Sequence, residues 1–152
     1  MDMAASDIAD EKNKSPVVAL VTIDTWRLDH FGPEYTPNLW ALAMEGERFT
    51  RARSPMGLTT PAHATMMTGK APWEHGAEAN NHHGYALRSD ITVLPDMFEG
   101  WSTGAFVSVY PAGPEGGMQR GWDVFDGPQE GEREGGIAVQ KALDWLPDDE
   151  PA

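Results

Sequence analysis

The residues best placed to do chemistry lie in Leu58-Thr59-Thr60-Pro61-Ala62-His63-Ala64-Thr65-Met66-Met67-Thr68-Gly69, where two hydroxyls stand directly before a proline. Ala62 to Met67 are mostly good helix formers and Thr68-Gly69 is a stop signal, so the stretch predicts a short helix. Proline suits a first helical turn, because its fixed φ fits the helix and the N–H it lacks would have had no partner there. Thr59 or Thr60 then stands at or near the N-cap, beside free backbone N–H groups and the positive end of the helix dipole. That arrangement suits an anion such as phosphate or sulfate. The plainer alternative is a threonine that caps the helix and does nothing else.

A second candidate is Asp24. Residues 17–23 (VVALVTI) form a continuous β-branched apolar run between Pro16 and Asp24, as expected of a strand buried on both faces of a parallel sheet. Asp24 then falls at the strand's carboxyl end, where open α/β sheets place their ligands. Its alternative is an Asp that only caps the following turn, with Asp29 a solvated charge.

The elements that must position these groups follow from the pattern. Thr36-Pro37 starts a helix with Thr as N-cap and Pro at N1, and NLWALAMEG ends it at Gly46. Residues 48–53 (RFTRAR) alternate weakly and read as a second strand, or as a run of surface arginines. After Gly69 the sequence KAPWEHGAEANNHHGYALRSD is rich in turn formers and reads as a loop. Residues 94–99 make a short helix closed by Gly100, and residues 103–109 (TGAFVSV) are the next strand. The stretch 110–136 is glycine-rich and irregular. Residues 137–146 (IAVQKALDWL) place Ile137, Val139, Ala142, Leu143 and Leu146 largely on one stripe of an amphipathic helix. Strands alternating with helices predict an α/β class with a mainly parallel sheet and flanking helices.

Composition bounds what such a site serves. At 152 residues the chain suits one domain, residues 16–152, preceded by a loose tail over residues 1–15. Twenty-four acidic against 11 basic residues, net −13, argue against unaided binding to nucleic acid or an anionic membrane. An anionic substrate would therefore need a local positive centre, and a metal ion is the usual one. With no cysteine, disulfides, thiolate ligands and a cysteine nucleophile are excluded. No apolar run is long enough for a membrane span, and the amino terminus lacks the basic and apolar regions of a secretory signal, so the expected location is cytoplasmic.

Three stretches, in order, carry a resemblance to the sulfatase and alkaline phosphatase superfamily. VTIDTWRLDHFG (21–32) resembles the family's opening strand with its metal-binding Asp and the following Arg and Asp. TPNLWALAMEGERFTRARSP (36–55) is similar to its helix and strand before the nucleophile. TTPAHATMMTGKAPWEHG (59–76) resembles the sulfatase signature Cys-x-Pro-Ser-Arg followed by Thr-Gly, with Thr59 in the place of the modified Cys, Ala62 for Ser and His63 for Arg. The likeness runs on through GWDVFD and the last helix, and ordered motifs are more specific than any one of them.

The resemblance implies a truncated alkaline-phosphatase-like fold and a divalent metal ion, Zn, Mn, Mg or Ca. It makes Asp24 and Thr59 metal ligands and Thr59 the nucleophile, activated by the same cation. Asn80 would donate to a non-bridging oxygen of a small anionic ester, with Lys70 and His63 as further contacts. His75 is expected to hold its loop in place, and His82 and His83 have no assigned role. Threonine cannot be converted to the formylglycine of sulfatases, which puts phosphate mono-, di- and triesters and phosphonates ahead of sulfate esters. Thr25 stands where many sulfatases have a second Asp. Family members are several times longer and carry their other metal ligands beyond the equivalent of residue 152. Hence a homo-oligomer or a missing carboxyl-terminal part is expected, with a non-catalytic half-domain as the alternative to a hydrolase.

Overall fold

The computed structural model describes residues 16–80, 84–128 and 130–146. The expected tail, and His82 and His83, lie outside them. The chain forms two compact units, one of Leu20–Ser54 and one of Pro55–Ala152 together with the segment up to Ala19.

In the smaller unit, α1 is Pro37–Glu45, started by proline as expected. Thr36 holds the N-cap position as expected, its carbonyl accepting from Trp40 N–H at 2.8 Å, but its side chain makes no capping bond. Its Oγ1 accepts from Gly32 N–H and donates to Gly32 O, both at 3.3 Å, and so closes the preceding turn. The core here is aromatic. Phe31 meets Trp26 edge-on at 5.5 Å and Trp40 at 5.4 Å, and the Arg48 guanidinium lies 5.0 and 4.8 Å from the Phe31 and Trp40 rings. Such cation–π contacts hold the exposed Arg48 over the two rings, and Ala52 N–H donates to Phe49 O to close a turn. Residues 48–53 are therefore a turn and not the expected strand.

The apolar run at 17–23 is not a strand either. Val17, Val18, Leu20, Val21 and Ile23 are 49% to 74% exposed. A strand exists only through a ladder with a neighbour, and the sheet among the described residues pairs two other segments.

That sheet belongs to the larger unit. β1 (Gly104–Phe106) runs parallel to β2 (Val124–Asp126), with Ala105 opposite Phe125. Asp123 secures its edge, its Oδ2 accepting from Thr103 N–H at 2.8 Å and from Thr103 Oγ1 at 2.9 Å. β2 falls inside the stretch read as irregular, because three residues are too few to show an alternating pattern. The class is α/β, and its sheet among the described residues has two parallel strands.

The last helix, α4 (Gly135–Trp145), begins two residues before the expected start and covers β1. Trp145 meets Phe106 at 5.7 Å, and a Cβ on Gly104 would lie 3.0 Å from both rings, so the close approach of helix and strand requires glycine there. At the end of β2, Asp126 accepts from Lys141 Nζ on α4 at 2.6 Å and pairs with Arg133. Lys141 and Arg133 together hold its carboxyl below the usual carboxylate range.

Between these elements sit α2 (Thr59–Thr68) and the single turn α3 (Pro72–His75). Ala64 of α2 packs with Ala77, Leu87, Val93 and Met118 in the buried core, against Phe125 of β2. Through that contact the helix that carries the hydroxyl pair is anchored to the sheet. A 3₁₀ turn at Leu94–Met97 replaces the short helix expected over 94–99.

Candidate functional site

α2 begins one residue earlier than expected. Leu58 is its N-cap, so Thr59, Thr60 and Pro61 fill the first turn, and the first helical bond runs from Ala62 N–H to Leu58 O at 3.2 Å. Pro61 costs nothing there, since first-turn N–H groups have no partner within the helix. Leucine offers no side-chain acceptor, and the cap comes from elsewhere: Thr60 N–H donates to Asn80 Oδ1 at 3.1 Å. At the other end Gly69, at φ +66°, closes the helix with its N–H on Thr65 O at 2.8 Å. With Thr60 N–H bound to Asn80, Ala62 N–H bound to Leu58 and Pro61 having none, the helix start offers an anion fewer backbone donors than the sequence suggested.

The two adjacent threonines part company. Thr60 is fully buried, and its Oγ1 donates to Pro111 O at 2.6 Å. Thr59 is half-buried, so of the pair it is the hydroxyl with a path to solvent. A neutral carboxamide whose Oδ1 accepts from Thr60 turns its NH₂, a double donor, away from that bond. Asn80 thus brings its carboxamide to the first turn of α2.

His63 stands one turn along from Thr59, on the same face of α2. Its Nδ1 lies 2.9 Å from Thr59 O, and since a carbonyl only accepts, Nδ1 carries the proton. Lys70 follows Gly69 at the far end of the helix, roughly 15 Å along the axis from Thr59 at 1.5 Å per residue. Its backbone N–H donates to Thr68 Oγ1 at 3.2 Å, and its exposed side chain is not brought to the start of α2.

His75 is fully buried. Nδ1 accepts from Ala77 N–H at 3.2 Å and Nε2 faces Thr65 Oγ1 at 3.1 Å, while Arg88 N–H donates to its carbonyl at 2.9 Å. Burial pushes its pKa below the usual histidine value, against smaller opposite pulls from the Pro61 carbonyl, Glu74 and Glu78. Sequence reasoning offered Thr60 only as an alternative cap and missed its bond to Pro111. No local signal marks a hydroxyl whose acceptor lies 51 residues away.

Asp24 belongs to the smaller unit, where it lies in an exposed turn with Thr25 at φ +55°. Downstream in the same unit, Asp29 takes a bidentate contact from Arg27 at 2.9 and 2.5 Å, with His30 at 3.1 Å. Those partners, Arg27 foremost, hold its carboxyl down to about 2. Among the described residues no three His, Asp or Glu side chains converge to hold an ion. The donor set therefore does not by itself fit the divalent metal that the resemblance implies. No helix among the described residues is long and apolar enough to cross a membrane.

Residues 18–92 match the family described as type I phosphodiesterase / nucleotide pyrophosphatase. The chain is 36% identical over 64 residues to the uncharacterized sulfatase YdeN of Escherichia coli, a match covering 42% of this chain and 11% of that protein. It is also 36% identical over 101 residues to the ulvan-active sulfatase of Formosa agariphila, covering 62% of this chain and 19% of the relative. The matches thus span less than a fifth of these relatives' own length. No solved structure matches the chain significantly. The phosphodiesterase family matched over residues 18–92 and the two sulfatase relatives together place the chain's likeness in the sulfatase and alkaline phosphatase superfamily.

Proposed function

We propose that this chain carries the nucleophile half of a hydrolase acting on phosphate esters, mono-, di- or triesters or phosphonates, with promiscuous action on sulfate esters. The observation that carries the reading is the 3.1 Å bond from Thr60 N–H to Asn80 Oδ1. It draws a carboxamide from 20 residues away to the turn that holds Thr59. In this reading Thr59 Oγ1 attacks phosphorus, the ester alcohol leaves, and water then cleaves the phosphothreonine, so that one difficult displacement becomes two easier ones. Asn80 Nδ2 donates to a non-bridging oxygen on which charge builds, a contribution of order 3 kcal/mol for an oxyanion donor. His63, one turn from Thr59, is proposed as a further contact to the substrate. The family and the sulfatase relatives support hydrolysis of phosphate or sulfate esters; the threonine nucleophile, the divalent cation (Zn, Mn, Mg or Ca), the role of Asp24 as its ligand and a cytoplasmic location are parts of the proposal. A completed sheet, mainly parallel and flanked by helices, belongs to it as well.

The test is hydrolysis of p-nitrophenyl phosphate mono- and diesters and p-nitrophenyl sulfate by the purified chain, with each divalent metal added and with chelator. Thr59→Ala is expected to abolish turnover with its fold intact by circular dichroism. Turnover equal to that of the parent would overturn the assignment. Lys70→Ala, at the distal end of α2, is expected to keep turnover within about threefold, less than a kcal/mol.

A second reading is favoured by the exposed run at 17–23. Five large apolar side chains, each about half exposed or more, describe a strand awaiting neighbours. In this reading the chain is a non-catalytic half-domain that associates with itself or with a further segment. Light scattering separates the two: a monomer with a cooperative melt counts against obligatory association.

A further inference from the structure

The loop that carries Asn80 is attached to α2 at both ends, by Asn80 on Thr60 and by His75 against Thr65. The same ring also holds the loop through Ala77 N–H, and that bond depends on the ring's protonation. Ala77 N–H can only donate, so Nδ1 of His75 must accept, and the neutral ring carries its proton on Nε2, facing the Thr65 hydroxyl. A second proton on Nδ1 would set two donors against each other at 3.2 Å, between two residues, His75 and Ala77, that are 0% exposed. Both residues are shielded from bulk solvent, and an unpaired buried charge is costly.

We propose that His75 is a positioning residue whose neutral, Nε2-protonated ring clamps residues 76–80 against α2, and that protonation of Nδ1, by breaking the ring's bond to Ala77 N–H, loosens the loop and frees Asn80 from Thr60. The inference rests on the role proposed for Asn80, and it adds a regulation: the donor is in place at neutral and alkaline pH and lost on acidification.

The charged groups around the ring are accounted for. Glu74 on α3 and Glu78 in the loop both favour the protonated form. Arg88, whose N–H holds the His75 carbonyl and whose stem lies against Gly76, is itself paired with Asp90 at 3.0 and 2.6 Å. From α2 the ring meets neutral Pro61 and Thr65. Burial outweighs the two glutamates and keeps the ring neutral below the ordinary histidine range. The loop between the attachments is four residues, Gly76 to Ala79, and Gly76 sits at φ +84° with the Arg88 stem 2.9 Å from where a Cβ would stand. So short and constrained a link cannot absorb movement at one end without passing it to the other.

The experiment is an NMR titration of the full chain, without substrate, from pH 8 to pH 4.5, following the His75 imidazole nitrogens, the Ala77 amide, the Asn80 side-chain NH₂ and the Val93 methyls. The expected result at pH 8 is a single neutral tautomer with Nδ1 as acceptor. On acidification the Ala77 and Asn80 signals should move with the His75 midpoint, below 6.5, while the Val93 methyls hold. Thr65→Val, which removes only the hydroxyl facing Nε2, is expected to shift the Asn80 signals already at pH 8, and Thr65→Ser to restore them. A His75 midpoint at or above 6.5, Asn80 signals indifferent to that titration, or core methyls that collapse at the same pH would each overturn the clamp. Because no turnover is read, an absence of hydrolysis counts against the hydrolase reading alone, and a pH-indifferent Asn80 against the clamp alone.

Discussion

Adjacent threonines with nearly identical sequence surroundings end in opposite environments, and the difference is one of partners. Thr60 spends its hydroxyl on Pro111 and its N–H on Asn80, and its methyl lies where a Cβ on Gly116 would come within 2.7 Å. Gly116→Ala should therefore press on Thr60 and cost about 1–3 kcal/mol, as overpacking of a closed site does, which urea unfolding would measure. A second expectation concerns His75. Its folded pKa lies below 6.5, so the unfolded chain takes up the proton first. The stability it contributes is complete above 6.5 and falls as the pH drops from there toward the folded value, by up to about 1.4 kcal/mol per pH unit. Melts of the parent and of His75→Gln at pH 7.5 and 5.5 would show this as a slope present in the first and reduced in the second. The motif resemblance pointed to Thr59 and Asn80, but nothing near Thr60 in sequence announced that it would be the buried member of the pair.

At the scale of elements, α2 is capped by a residue 20 positions downstream. Asn80→Ala should cost about 1 kcal/mol, the usual worth of a side-chain cap, in addition to its effect on turnover. Asn80→Asp, which keeps the acceptor and removes the donors, should retain that stability while losing the activity. Thermal melts and ester hydrolysis on the same two variants separate the cap from the donor. The helices were legible because their hydrogen bonds close within four residues: Thr36-Pro37 before α1, Gly69 after α2 and the apolar stripe of α4 all lie inside or beside the element they predict. The runs at 17–23 and 48–53 have strand-like composition, yet one is exposed without a strand partner among the described residues and the other closes into a turn through Ala52 N–H on Phe49 O.

Across the whole molecule, the two units differ in what holds them. Residues 20–54 rest on a few rings and one guanidinium, whereas the larger unit has a buried apolar core and a carboxylate, Asp126, shared by Arg133 and Lys141. Trypsin should accordingly cut at the exposed Arg51 or Arg53 well before Arg133, whose side chain is only 17% exposed and ion-paired. Mass spectrometry of a timed digest would show it, and early cleavage at Arg133 would contradict this account of the larger unit.

The sequence alone determined where α1, α2 and α4 run and the likeness to the superfamily, and the resemblance singled out Thr59 and Asn80 as candidates, because each rests on local hydrogen bonding or on an ordered motif. Tertiary structure decided which threonine is buried, that Asn80 caps α2, that His75 is locked in one tautomer, and that the sheet is β1 with β2. Those outcomes depend on donors and acceptors brought together across 10 to 51 residues and across strand neighbours. Residue type sets what such groups can bond, and only the folded chain sets which partner is within reach.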